Sequence, residues 1–213
     1  DMPESIDSAL VWFRRDLRHT DHAALYHALK NARRVWCVFV LDTDILDALP
    51  RQDRRVDFIL RSLRELDVAL GELQNGSGLI VRHGSAVHEI PQLVVQLGVQ
   101  AVYANHDDEP AAQQRDALVR GKLSDIGVAL FTSKDHVIFE RNEVLTGNDT
   151  PYGVFTPYKN AWLKKLDAFY LKPYPVAKYA SHLAPLAEKM PAKVPALWPQ
   201  TVPTLQEVGF DPV

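Results

Sequence analysis

Ala9-Leu10-Val11-Trp12-Phe13-Arg14-Arg15-Asp16-Leu17-Arg18 sets five apolar residues directly against a run of charge. A strand with one wet face alternates, so an unbroken apolar run of this length reads as a strand covered on both faces. The charged run is then the loop at its carboxyl end. Val35-Trp36-Cys37-Val38-Phe39-Val40-Leu41 repeats the pattern, and Leu79-Ile80-Val81, Ala101-Val102-Tyr103-Ala104 and Val128-Ala129-Leu130-Phe131 repeat it in shorter form.

The segments between these runs have the helical period. Thr20 or Asp21 is placed to cap a helix carrying Ala23, Leu25, Tyr26 and Leu29. From about Asp53 to Leu73, Val56, Ile59, Leu60, Leu63, Leu66, Leu70 and Leu73 recur at steps of three and four and share one face. Ser85 offers a cap to a helix ended by Gly98, with Pro91 inside the pattern as a kink or a late start. Pro110 suits the first turn of a helix that stops at Gly127. Strand and helix alternate over nine elements, which predicts an α/β fold: a doubly wound, Rossmann-like, five-stranded parallel sheet flanked by helices. Tyr103 and Trp36 lie within strands and read as core.

Composition agrees with a folded chain. Of 213 residues, 46% are hydrophobic and 24% charged, too apolar for a disordered chain. No apolar run approaches the ~20 residues of a membrane helix. The first five residues are polar and acidic, unlike a signal or transit peptide. The single Cys37 excludes an internal disulfide, so a cytoplasmic location is expected.

Charge and proline divide the chain. Residues 1–150 carry a net −6 and four prolines; residues 151–213 carry +3 and ten prolines. The expected organisation is a compact domain over residues 6–133, an exit segment with a short helix over 134–170, and a proline-rich extension or interdomain linker over 171–213. That extension either packs on its own domain or wraps a partner.

An open parallel sheet binds ligands outside the carboxyl ends of its strands, where strand order reverses. Arg14-Arg15-Asp16-Leu17-Arg18, Asp42 and Asn105-His106-Asp107-Asp108-Glu109 should therefore converge on one crevice. The three arginines either pair with nearby acids such as Asp16 and Asp21 or bind phosphate. No Gly-x-Gly-x-x-Gly, P-loop or Gly-x-Ser-x-Gly is present. The eight scattered histidines, without thiolate support, do not form a metal-binding pattern.

Val11 to Arg18, followed by Asp21, resembles the opening of the DNA photolyase/cryptochrome family. Leu41-Asp42, Arg54-Arg55-Val56-Asp57-Phe58-Ile59 with Ser62-Leu63, and Tyr152-Gly153-Val154-Phe155-Thr156-Pro157-Tyr158-Lys159-Asn160-Ala161-Trp162 agree in order and spacing. The resemblance covers roughly residues 8–166 and implies the N-terminal, antenna-binding domain of a class I-type deoxyribodipyrimidine photolyase. In that family the α/β domain holds a light-harvesting pigment. A larger helical domain holds FAD and binds damaged DNA, so the resemblance implies FAD only in a C-terminal domain lying beyond these residues. The parent enzyme is then a carbon–carbon lyase that splits pyrimidine dimers in light, which this piece alone should not do. The partners implied are that helical domain and, through it, damaged DNA, with no membrane.

The resemblance also implies a pigment. Folate-binding members use an Asn-Glu pair where this chain has Ala111-Ala112, which cannot make those hydrogen bonds. A deazaflavin or flavin mononucleotide is therefore favoured over methenyltetrahydrofolate. The implied cofactor contacts are Arg14, Phe39, Val40, Leu41, Asp42, Arg55, Asn105 and Asp107; no catalytic residue is implied. Two other readings are a cryptochrome photoreceptor domain and a stand-alone nucleotide-binding signalling module of the same topology. A third is an interaction module. Phe155, Trp162, Leu163 and Leu166 beside Lys164 and Lys165 fit a docking face, and self-association through it is expected.

Overall fold

The computed structural model describes residues 5–133, 174–186 and 202–213. The elements run β1 (Ile6–Phe13), α1 (Ala23–Asn31), β2 (Ala32–Asp42), α2 (Thr43–Leu46), α3 (Arg54–Leu73), β3 (Leu79–Gly84), α4 (Ala86–Leu97), β4 (Ala101–Asn105), α5 (Pro110–Asp125) and β5 (Ala129–Ser133). The strands form one parallel sheet in the order β3-β2-β1-β4-β5. Chain order reverses between β1 and β4, so the switch point lies between Phe13 and Asn105.

Each face of the sheet has its own core. On β1, Ala9, Val11 and Phe13 pack with α1 and α3, while Leu10 and Trp12 pack with α4 and α5. This is the period-2 alternation of a strand buried on both sides. The α3 stripe buries Val56, Leu60, Leu63, Leu66 and Leu70. Each such side chain is worth about 1.5–3 kcal/mol relative to exposure. Pro91 sits inside α4 and the helix runs through it.

Three local details differ from expectation. The cap of α1 is His22, whose Nδ1 accepts from the Leu25 N–H at 3.0 Å, and not Thr20 or Asp21. Asp21 has φ 50°, whereas a capping residue is extended. Its carboxylate instead accepts from the Tyr174 N–H at 3.0 Å. Ser85 stands at the α4 cap position, but its hydroxyl donates to Asp44 at 3.0 Å. The single turn α2 follows from Asp42, whose Oδ1 accepts from the Asp44 N–H at 3.0 Å.

The described parts of the proline-rich extension pack on their own domain. Val176, Leu183, Val208 and Phe210 are buried in the α1/α3 core. β3 begins opposite Cys37, which leaves Val35 of β2 without a neighbour on that side. Leu183 fills this gap as a parallel bridge, and the Ala184 N–H donates to the Val35 carbonyl at 2.9 Å. Further along, the Asp211 N–H donates to the Arg51 carbonyl at 2.7 Å. The expected exit segment, the Tyr152–Trp162 match and the docking residues Phe155, Trp162, Leu163 and Leu166 lie outside the described residues. No described helix is long and apolar enough to cross a membrane.

Candidate functional site

At the switch point the carboxyl ends of β1 and β4 open into a cleft of about 510 Å³. Arg14, Arg15, Asp16 and Arg18 line one side, and residues 105–110 line the other. Arg14, Asn105 and Asp107 of the expected contacts therefore meet here.

The floor is an organised polar network. Asn105 is buried, and its Oδ1 accepts from the Ala24 N–H at 2.9 Å. Its amide nitrogen donates to Asp16 and lies 3.2 Å from His22 Nε2. His22 Nε2 stands 2.8 Å from Asp16. Because His22 Nδ1 accepts from the Leu25 N–H, the proton belongs on Nε2, facing Asp16. The loop after β1, the start of α1 and the end of β4 are thereby tied together. Burial raises the Asp16 carboxyl pKa, but the hydrogen bonds from His22 and Asn105 outweigh it and hold the pKa below the usual value.

That shift fixes a sign. As pH falls, the unfolded chain takes up the Asp16 proton first. The contribution of Asp16 to stability is therefore fully present above about pH 4 and is lost as pH drops through the depressed folded value. Asp16→Asn is expected to lower stability at neutral pH by about 1–3 kcal/mol and to flatten the fall in stability below pH 4. Urea unfolding between pH 2.5 and 7 measures both; an unchanged acid limb would contradict this role.

Arg14 and Arg15 find acids other than Asp16 and Asp21. Arg14 Nη1 contacts both carboxylate oxygens of Asp116 on α5 at 2.5 Å, and its Nη2 donates to the Asn105 carbonyl. Arg14 and Asp116 are both buried. Arg15 reaches Asp107 at 3.3 Å and Glu109 at 3.6 Å from a largely exposed position. Arg18 donates to the Asp21 carbonyl at 3.1 Å.

The other expected contacts lie along β2 and α3, outside the walls of this cleft. Phe39 and Leu41 face the α1/α3 core, and Val40 faces the opposite one. Asp42 is buried at the end of β2. Burial pushes its carboxyl pKa above the usual range, the Asp44 charge adds to this, and the Asp44 N–H and Arg115 oppose it. Arg55 projects from the first turn of α3 with its side chain 70% exposed, turned back on Asp53 at 2.6 Å.

Arg115, absent from the expected set, links the two groups. It interacts electrostatically with Asp42 at the end of β2 and with Asp107 in the cleft wall. Its guanidinium lies 5.0 Å from the Trp12 ring, and that of Arg14 lies 4.9 Å from the same ring. Asp116 was also missed, although α5 carries the signal. Ala112, Asp116, Val119 and Leu123 form its buried stripe, and a carboxylate within an apolar stripe marks a buried ion pair. Among the described residues, no group of three or more His, Cys, Asp or Glu is placed to hold a metal.

Comparison with known proteins adds a lineage to this geometry. The DNA photolyase family model matches residues 9–179. The chain is 33% identical over 202 residues to the deoxyribodipyrimidine photo-lyase of a Synechococcus species, covering 95% of this chain and 40% of that protein. A solved archaeal photolyase from Sulfolobus tokodaii, described with two FAD molecules, is 32% identical with a TM-score of 0.54, over 62% of this chain and 30% of its own. A Synechocystis cryptochrome, at 23% identity and TM-score 0.62 over 78% of this chain and 35% of its own, shares the fold. The chain thus spans about two-fifths of the length of the Synechococcus photo-lyase. With the family model covering most of the sequence and a relative one-third identical over nearly all of it, this chain belongs to the DNA photolyase family.

Proposed function

We propose that this chain is the light-harvesting domain of a DNA photolyase, holding a planar antenna pigment at the carboxyl rim of its sheet. The observation that carries this reading is the cleft at the β1/β4 switch point, where the fold class places its ligands. The network of Asp16, His22 and Asn105 gives that cleft a rigid floor, as a binding site needs.

The pigment is a deazaflavin or flavin mononucleotide in preference to methenyltetrahydrofolate. Ala111 and Ala112, at the start of α5, carry no side-chain polar group for a pterin. Arg14, Asn105 and Asp107 would meet it from the cleft and Asp42 from the end of β2, while Phe39, Val40 and Leu41, turned into the two cores, would support that rim from behind. Arg55 would join by turning from Asp53, a movement its exposure permits. The pigment supplies the light absorption; the chain positions it. Excitation would pass to reduced FAD in a helical domain of the same parent protein, and damaged DNA would be met through that domain. The single buried Cys37 fits a reducing cytoplasm.

Titration of the 213-residue chain with flavin mononucleotide or a deazaflavin should quench or shift pigment fluorescence. Arg55→Ala should weaken binding by about tenfold, the usual scale for one lost charged contact. Folate binding without flavin or deazaflavin binding would reverse the choice of pigment. No binding by any of the three would remove the antenna reading.

A further inference from the structure

Arg115 holds two buried donors, Nε and Nη2, that have no hydrogen-bond partner. Nε lies 3.5 Å from Asp116 Oδ1, but Arg14 already occupies both oxygens of that carboxylate at 2.5 Å. The other two carboxylates that act on Arg115 are engaged elsewhere. Asp42 accepts from the Asp44 N–H. Asp107 pairs with Arg15 and accepts from the Glu109 N–H. The buried Arg14 and the part-buried Arg115 therefore share the single carboxylate of Asp116.

Nε and Nη2 form the side-on edge of a guanidinium, the edge that takes two oxygens of a carboxylate or phosphate together. Unpaired buried donors are rare in native folds, and each calls for a partner. We propose that Arg115 anchors an oxyanion, a phosphate or carboxylate, carried by the molecule that fills the crevice. The inference rests on the pigment reading above and deepens it: the occupant carries an acidic group, and Arg115 selects for it. As the side chain lies, its donor edge is closed to solvent. The oxyanion thus takes Arg115 by a rotation of the side chain and does not enter a ready-made hole. It would complete a cluster of two cations and two anions above Trp12.

The test uses flavin mononucleotide, riboflavin, which is the same ring without phosphate, and inorganic phosphate. Flavin fluorescence reads the first two, and the thermal unfolding midpoint reads the third. The wild-type chain is expected to prefer flavin mononucleotide to riboflavin by about tenfold or more, with Arg115→Gln reducing that ratio to near unity. Arg115→Lys keeps the charge without the two-donor edge and should give an intermediate ratio. It also carries the test if Arg115→Gln fails to fold, as judged by circular dichroism. Equal affinity of the wild type for both flavins, or a ratio undiminished in either variant, overturns the role of Arg115 and leaves the pigment reading standing. If no flavin binds, but phosphate raises the unfolding midpoint of the wild type and not of the variants, the oxyanion site stands and the choice of a flavin falls. If neither flavin nor phosphate has an effect, both fall.

Discussion

Asp116→Asn is expected to be among the most damaging single substitutions in the domain, costing about 3–5 kcal/mol, the range for breaking a buried ion pair. The amide keeps the shape and one acceptor oxygen but removes the charge that serves the Arg14 guanidinium at 2.5 Å and the Arg115 guanidinium at 3.5 Å. Arg14 stays desolvated, with only 5% of its side chain exposed, and Arg115 is part-buried beside it. Arg14 also donates to the Asn105 carbonyl, so the damage should spread to the cleft floor. Chemical unfolding measures the loss. The paired replacement Arg14→Met with Asp116→Leu should recover part of it, because replacing a buried pair by apolar groups is often close to neutral, but Arg115 still loses Asp116 and keeps the recovery incomplete. A cost below about 1 kcal/mol for Asp116→Asn would mean that water reaches this pair and that the pair does not organise the floor.

The contrast between Asp116 and the apolar runs explains how far the sequence could be read. Strands buried on both faces need unbroken apolar runs, and α3 needs its stripe from Val56 to Leu70, so the nine-element alternation was visible residue by residue. The switch-point rule then named Arg14 to Arg18 and Asn105 to Glu109, which supply most of the cleft walls, and Asp42, which lies outside them. Partnership was not visible, because partners are set by tertiary distance. Arg14 reaches 102 residues along the chain to Asp116 and passes over the adjacent Asp16. Asp16 is committed to His22 and Asn105. The α1 cap was misread for the same reason. Thr20 and Asp21 have favourable side chains, but the left-handed backbone at Asp21 moves the cap to His22, a residue that composition rules rank low. The β2 contacts show a further limit. Phe39 and Val40 are adjacent in sequence, yet the strand sends them to opposite faces of the sheet, so an apolar run alone cannot define one wall of a pocket.

Phe210→Ala should lower stability by about 3–5 kcal/mol, the usual cost of truncating a buried phenylalanine. In a domain of this size that is a fall of roughly 6–20 °C in unfolding midpoint. Phe210 is 5% exposed and packs into the core formed by α1, α3 and the sheet, together with Val208. The turn that delivers it depends on Gly209, whose φ of 88° few other residues adopt, and on the Phe210 N–H donating to the Leu205 carbonyl at 2.9 Å. This prediction separates the two roles open to a proline-rich extension. A segment held ready for a partner contributes little to the domain alone, and Phe210→Ala would then change the midpoint by a degree or two at most. A segment that completes its own core behaves as a core residue does. The consequence extends to the site. The Asp211 N–H holds the Arg51 carbonyl, and Arg51 lies just ahead of the Asp53 cap and Arg55 at the start of α3. Losing the Phe210 anchor frees that loop, so the substitution should also loosen whatever Arg55 holds. The two readouts, unfolding midpoint and pigment affinity, should fall together in Phe210→Ala, whereas Arg55→Ala should lower pigment affinity alone.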